Sequence, residues 1–332
     1  MLIAFLACAM PEHVDLAHSE RDADDIVAIA LDASSEATLG EARIWSGLSA
    51  EDDSFLLTTM VRQELVVYRV DDELDILSGP NPITAPQLPD GAAITDHAQV
   101  LLDGIIYVAI SDHEARDLWL VQADPDGAWA SEPLQIANDS RLPTHDMQIT
   151  TDGELVWLAW GNGTERAIAG IDRDLRIVEE ASVVHEVRRS GLGSTVHERG
   201  GFTTFSGDES NRSLIAQRYS ATWEPELQPI EILGEDDAEE LGDWHWFPSG
   251  SVRDEATGSW VLAFTTMPDG GQAEADSAIQ LALLDKTLQL VQTWTVTPHE
   301  GWTRPHLALS SDTLMLSYDA HQRVIVERFD VL

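Results

Sequence analysis

The sequence predicts an all-β chain folded as a six-bladed β-propeller, with an N-terminal strand completing the last blade. Three observations predict it. Short runs rich in Val, Ile, Thr and Trp are punctuated by Gly, Pro, Asp and Asn, with almost no 3.6-residue periodicity, which favours strands and turns over helices. These runs recur as similar units roughly 50 residues apart, the period of a four-stranded blade that buries its faces only against neighbouring blades. The last unit stops one strand short at Leu332, and the apolar run at 26–31 can supply the missing strand.

Taken in order, the chain divides into residues 1–24, read as a signal and lipid-anchor remnant with a polar tether, and a single propeller domain over 25–332. Cys8 is the only cysteine, which rules out an internal disulfide framework. It closes the apolar run 1–7 and is followed by an acidic, polar stretch, an arrangement that resembles the end of a bacterial lipoprotein signal peptide. That resemblance implies a chain lipidated at Cys8 and held at the bacterial cell envelope, or secreted. Its departures are Leu6, a short apolar run and the lack of a positive n-region. No later segment has 18 consecutive apolar residues, so membrane contact is expected only through a lipid anchor.

Each unit has an apolar central strand, at 55–60, 106–110, 156–160, 202–205, 261–264 and 314–318. A polar turn and a further strand follow, at 65–70, 118–122, 167–171, 214–219, 279–284 and 324–329. Five of these reach an aspartate within two residues: Asp71, Asp124, Asp172, Asp285 and Asp330. Gly104, Gly153, Gly200 and Gly258 mark the turns that enter the central strands, and Asp152-Gly153 is a hairpin signal. Trp119, Trp157, Trp160 and Trp260 fall inside alternating strands and are expected in the core. Two packed β-sandwiches would require a linker near the middle, and the repeat runs through 181–194 in phase.

Composition limits function. Lys+Arg number 19 against 59 Asp+Glu, a net charge of −40, and Lys286 is the only lysine. Such a surface repels phosphate backbones, so no nucleic-acid partner is expected, and it suits cations, salt-rich surroundings or cationic partners. Glycan or protein ligands remain, and a monomer is expected. No phosphate loop, Cys-x-x-Cys or G-x-S-x-G elbow occurs.

Stacking the units places Asp96-His97, His145-Asp146 and Arg304-Pro305-His306 near the starts of innermost strands, with His97, Asp146 and His306 equivalent. Those positions open onto one mouth of the axial channel, where strands converge and ligands bind. Three readings apply to this ring. It can be structural, its polar groups satisfying neighbouring backbone. It can hold a divalent cation, the one cofactor considered, on His97, Asp146 and His306, although no H-x-x-x-H spacing supports this. Or it can be a glycosidase, which needs two facing carboxylates, with Asp146 and Glu198 or Asp96 as candidates. Trp244 and His245 in one unit and Trp302 in another precede inner strands and could stack on a sugar or plug the gap between blades.

The repeats resemble the wider β-propeller superfamily over about residues 25 to 332. Ser206-Gly-Asp-Glu-Ser and Ser111-Asp-His-Glu only echo the Asp-box of sialidase-type blades, and the WD and kelch marks are missing. The unit around Trp302-Thr-Arg-Pro-His and the stretch 251–264 are similar to blades of propeller glycoside hydrolases. A sialidase would need an arginine cluster, for which only Arg199 and Arg304 are placed. On these grounds the expectation is an exported, non-catalytic ligand-binding or scaffold module. The alternative is a carbohydrate-active hydrolase using the same mouth.

Overall fold

The computed structural model describes residues 27–32, 46–61, 64–83, 88, 94–112, 114–144, 147–161, 165–185, 194–198, 200–208, 213–226, 228–234, 247–266, 277–299, 304–310, 313–320 and 323–330. Cys8 and the rest of the N-terminal segment therefore lie outside the described residues, as do His145, Asp146, Arg199, Trp244, His245 and Trp302.

The described strands form six four-stranded antiparallel sheets, each a blade. The first holds β1 (Val27–Asp32) beside β24 (Arg323–Asp330), β23 (Thr313–Ala320) and β22 (His306–Ser310). The others are consecutive: β2 (Ser46–Glu51) to β5 (Ile76–Pro82), β6 (Asp96–Leu102) to β9 (Leu134–Ala137), β10 (Gln148–Thr151) to β13 (Ile177–His185), β14 (Thr195–Glu198) to β17 (Ile230–Leu233), and β18 (Phe247–Arg253) to β21 (Leu290–His299). We number the blades one to six from β2–β5. The predicted closure is present: β1 pairs with β24 from Val27↔Arg328 to Asp32↔Arg323, so chain start and chain end share blade six. Innermost strands β2, β6, β10, β14, β18 and β22 lie side by side and return to β2, which closes the ring.

The long apolar runs follow from burial on both sides. A strand's side chains alternate between faces, and here each face meets a different neighbour. In β3 (Ser54–Val61), Phe55 and Leu57 pack towards blade six while Leu56 packs towards blade two. Six apolar clusters result, one at each junction between blades. The junction of blades three and four is aromatic, with Phe202 stacked on Trp223 at 4.0 Å and Trp157 edge-on to both. The four tryptophans expected in the core are all buried.

The turns explain the repeated aspartates and glycines. Gly104, Gly153, Gly200 and Gly258 all have positive φ. The aspartates ending third strands organise a different turn. Asp71, Asp172 and Asp285 each accept, through Oδ1, the backbone N–H groups two and four residues ahead. Their main-chain carbonyls accept a third N–H, from Leu74, Leu175 and Leu288, each in the left-handed region with φ of 68°, 55° and 67°. Blade four makes the same turn with Ser220 and Trp223. A left-handed non-glycine residue is costly, and it persists because the side chain is inserted into the core: Leu74, Trp223 and Leu288 are buried.

Candidate functional site

Inner strands all start at one mouth of the ring, and they end in first hairpin turns at the other. The first mouth is the polar one. Asp96 and His97 open β6, and Arg304, two residues before β22, donates from a guanidinium N–H to Asp96 Oδ2 at 2.7 Å. Asp96 is 4% exposed in its side chain and Arg304 is 21% exposed, so the pair is sheltered on one side and open on the other. The bond runs from blade six to blade two and passes over blade one. In blade one, β2 opens with Ser46 and Gly47. A Cβ on Gly47 would sit 2.7 Å from Thr58 Oγ1 and 2.8 Å from Gln99 Cγ, so blade two packs directly against that backbone. Ser46 Oγ meets Ser317 Oγ of blade six at 3.1 Å from the other side.

The two imidazoles belong to the same group. His97 is buried, with Nε2 3.4 Å from the carbonyl oxygen of Thr58 and Nδ1 without a partner among the described residues. Burial lowers its pKa, against the opposing pull of Asp96 and the bond to Thr58, and holds the ring neutral. The proton then belongs on Nε2, facing the carbonyl, and Nδ1 is an acceptor. Burial, with the nearby His97 and Arg304, pushes His306 down to about 4, while Asp96 works the other way. Backbone approach fixes its place. Ser249 Oγ donates to the Pro305 carbonyl at 2.7 Å, and a Cβ on Gly250 would lie 3.0 Å from His306 Cα.

The structure thus brings together Asp96, His97, Arg304 and His306, and it refines their equivalence. Counted back from the hairpin turns, whose last pairs are Leu102↔Ile105 and Ser310↔Thr313, Arg304 is level with Asp96 and Pro305 with His97. His306 is one residue nearer the turn than the sequence stacking put it. Asp146 and His145 lie outside the described residues; Thr144, just before them, is buried and donates to the Asp112 carbonyl at 3.4 Å. No group of three His, Cys, Asp or Glu side chains suited to a metal occurs among the described residues.

Glu198 is not brought to this mouth. It pairs with Gly201 across the first turn of its blade, at the far end of the inner strand. There it accepts from Thr203 Oγ1, and from Arg218 Nε at 3.1 Å, with Arg253 Nε at 3.8 Å. At about 3.3 Å per residue, the strand length between the Asp96 level and the Glu198 level is on the order of 20 Å, too far for two carboxylates flanking one glycosidic bond. Blade one repeats this arrangement: Glu51 ends its inner strand, bound by Arg69 and accepting from Ser54 Oγ. Glu198 is thus one of two such braces among the described residues and does not face Asp96, while Asp146, its candidate catalytic partner, lies outside the described residues. What sequence reasoning missed was the close approach of blade two to Gly47, whose signal was a glycine early in an inner strand.

No protein-family model matches the chain, and no curated sequence does. Solved structures do. The chain is similar to Kuenenia stuttgartiensis hydrazine synthase, at 9% identity over 86% of this chain and 79% of that one, with TM-score 0.51. It is similar to exo-β-1,3-galactanase from Phanerochaete chrysosporium, at 12% identity over 90% and 79%, with TM-score 0.51. A GH43 glycoside hydrolase engineered for endo-xylanase and exo-arabinofuranosidase activity matches at 13% identity and TM-score 0.50, over 81% of this chain; the chain spans 60% of that enzyme. At these identities the likeness establishes the fold. Carbohydrate-active enzymes recur among these matches, which counts against the expectation of a non-catalytic binding or scaffold module.

Proposed function

We propose that the chain is a carbohydrate-active hydrolase that cleaves glycosidic bonds at the mouth where its inner strands begin. The observation that carries this reading is the Asp96–Arg304 pair, a sheltered carboxylate at the axis oriented by a guanidinium from two blades away. Glycoside hydrolysis needs one carboxylate as base or nucleophile and a second as acid. Asp96, ion-paired, takes the first role. Asp146 takes the second on its sequence position, in the unit whose Thr-His-Asp head aligns with Thr95-Asp96-His97. Arg304 holds Asp96 in place. The enzymes similar in fold act on galactan, xylan and arabinofuranosides by their descriptions, which sets the first substrates to try.

The experiment is a screen with nitrophenyl arabinofuranoside, xyloside and galactoside, and with β-1,3-galactan and xylan read by reducing ends. Turnover is expected, with kcat lowered about a thousandfold in Asp96→Asn and in Asp146→Asn, the scale of a lost acid or base. Glu198→Gln should stay within about threefold, as a side chain that touches no substrate. Absence of turnover on every substrate, or full activity in both aspartate variants, would overturn the proposal. Attachment to the cell envelope through Cys8 belongs to the same reading, and palmitate labelling that survives Cys8→Ser would remove it.

A further inference from the structure

Five large apolar side chains are exposed among the described residues, and all five are on the outer rim of three consecutive blades: Ile76 (50%) and Leu77 (55%) in blade one, Trp129 (43%) in blade two, Ile177 (38%) and Val178 (48%) in blade three. None belongs to blades four to six. Ile76-Leu77 and Ile177-Val178 begin the outermost strands β5 and β13 straight after the aspartate turns, and Trp129 stands in the corresponding turn before β9. Adjacent residues of a strand point to opposite faces, so exposure of both members of a pair means that neither face is covered there.

The three turns are joined. Asp126 of blade two lies 3.6 Å from Arg69 of blade one, and a Cβ on Gly127 would be 3.0 Å from Asn81 Cβ in β5. Gln122 Nε2 of blade two donates to the Arg173 carbonyl of blade three at 2.6 Å. The apolar positions are thus spread along one stretch of circumference.

Its charge is one-sided. Exposed carboxylates flank every apolar position: Asp72 and Asp75 in blade one, Asp126 and Glu132 in blade two, Asp174 and Glu179 in blade three. The nearby cations are engaged, Arg69 with Glu51, Arg173 with Asp103, Arg176 with Asp174 and Arg328 with Glu73. Sheet edges are ordinarily guarded by lysine, and the chain's single lysine, Lys286, is in blade five. Among the described residues, strands β5, β9 and β13 each end their sheet with no further strand beside them.

We propose that this rim docks an extended, lysine- or arginine-rich polypeptide segment carrying apolar side chains at alternate positions. Such a segment runs along the rim from blade to blade, sets its apolar side chains on Leu77, Trp129 and Val178, and aims its cations at the flanking carboxylates. A second copy of this chain does not fit, because its own net charge of −40 opposes association.

The test uses the full chain and two fluorescein-labelled peptides of equal length and charge, one alternating lysine with valine and the other lysine with serine, read by anisotropy. The valine peptide should bind at least about tenfold tighter than the serine peptide. Leu77→Asp and Val178→Asp should each weaken it about tenfold or more, although each adds a negative charge that alone would strengthen attraction to a cation. Both sites are exposed, and an unchanged urea midpoint verifies folding. Equal binding of the two peptides would mean that the acidic field alone attracts them and would overturn the proposal. So would undiminished binding in the aspartate variants, or no binding of the valine peptide.

Discussion

Leu288 tests the account of the repeated turn, because its side chain and its backbone pull in opposite directions. The residue is fully buried in the junction of blades four and five, yet its φ of 67° is in the region that favours glycine. Leu288→Ala removes a fully buried branched chain, at a cost of about 3 kcal/mol. Leu288→Gly removes one more methyl, about 0.8 kcal/mol, and adds backbone entropy to the unfolded chain, about 0.5 to 1 kcal/mol. Against that, glycine releases the left-handed strain, about 1 to 2 kcal/mol. The two variants should therefore be equally stable within about 1 kcal/mol. At Leu262, equally buried and in an ordinary strand, nothing offsets the extra loss, and glycine should fall about 1.5 kcal/mol below alanine. Equilibrium urea unfolding followed by tryptophan fluorescence measures all four. A gap between glycine and alanine as wide at Leu288 as at Leu262 would refute the claim that burial holds the turn in a strained conformation.

Three further outcomes are expected. Burial raises the pKa of Asp285, but hydrogen bonds from Thr287 and Gln289 outweigh it and hold the carboxyl below its ordinary value. Its contribution is full above the unfolded value near 3.8 and is lost as pH falls through the lower folded value, so Asp285→Asn should cost about 1 kcal/mol at neutral pH and nothing in strong acid. His306, held near 4, should remain neutral at pH 6 in an NMR titration of the imidazoles; because the unfolded chain protonates first, near 6.5, its contribution to stability is full above that pH and declines towards 4. A titration midpoint near 6.5 would contradict its placement. Gly250→Ala would put a methyl 2.7 Å from the Pro305 carbonyl oxygen and 3.0 Å from His306 Cα, so it should cost about 1 to 3 kcal/mol and change the His306 chemical shifts, whereas Ala at exposed Gly104 should leave those shifts alone.

The blades were legible because each obeys local rules six times. Continuous apolar runs such as 106–110 meant burial on both faces, and the aspartates at 71, 172 and 285 marked turns whose geometry their carboxylates create. The strand at 26–31 was recognisable as the missing partner because the last unit lacked one, and β1 differs from it by a single residue. The position of Glu198 was also written in the sequence, two residues before Gly200, the glycine of a first turn. A residue beside that turn ends its inner strand and belongs to the far mouth.

The polar mouth was only half legible, for a physical reason. Stacking repeats compares residues at one level, and it treats blades as equals. The Asp96–Arg304 bond depends on their being unequal: blade two supplies the acid and blade six the base. In blade one, a side chain at position 47 would collide with Thr58 and Gln99 and push blade two away from β2. The site is therefore a break in the repeat. At the other mouth the carboxylates that end inner strands, Glu51 and Glu198, are each bound by an arginine of their own blade, Arg69 and Arg218. Both also reach the next blade, Arg69 towards Asp126 of blade two and Arg253 of blade five towards Glu198. The bond at the polar mouth joins two blades across a third, and it orients a nearly buried carboxylate there.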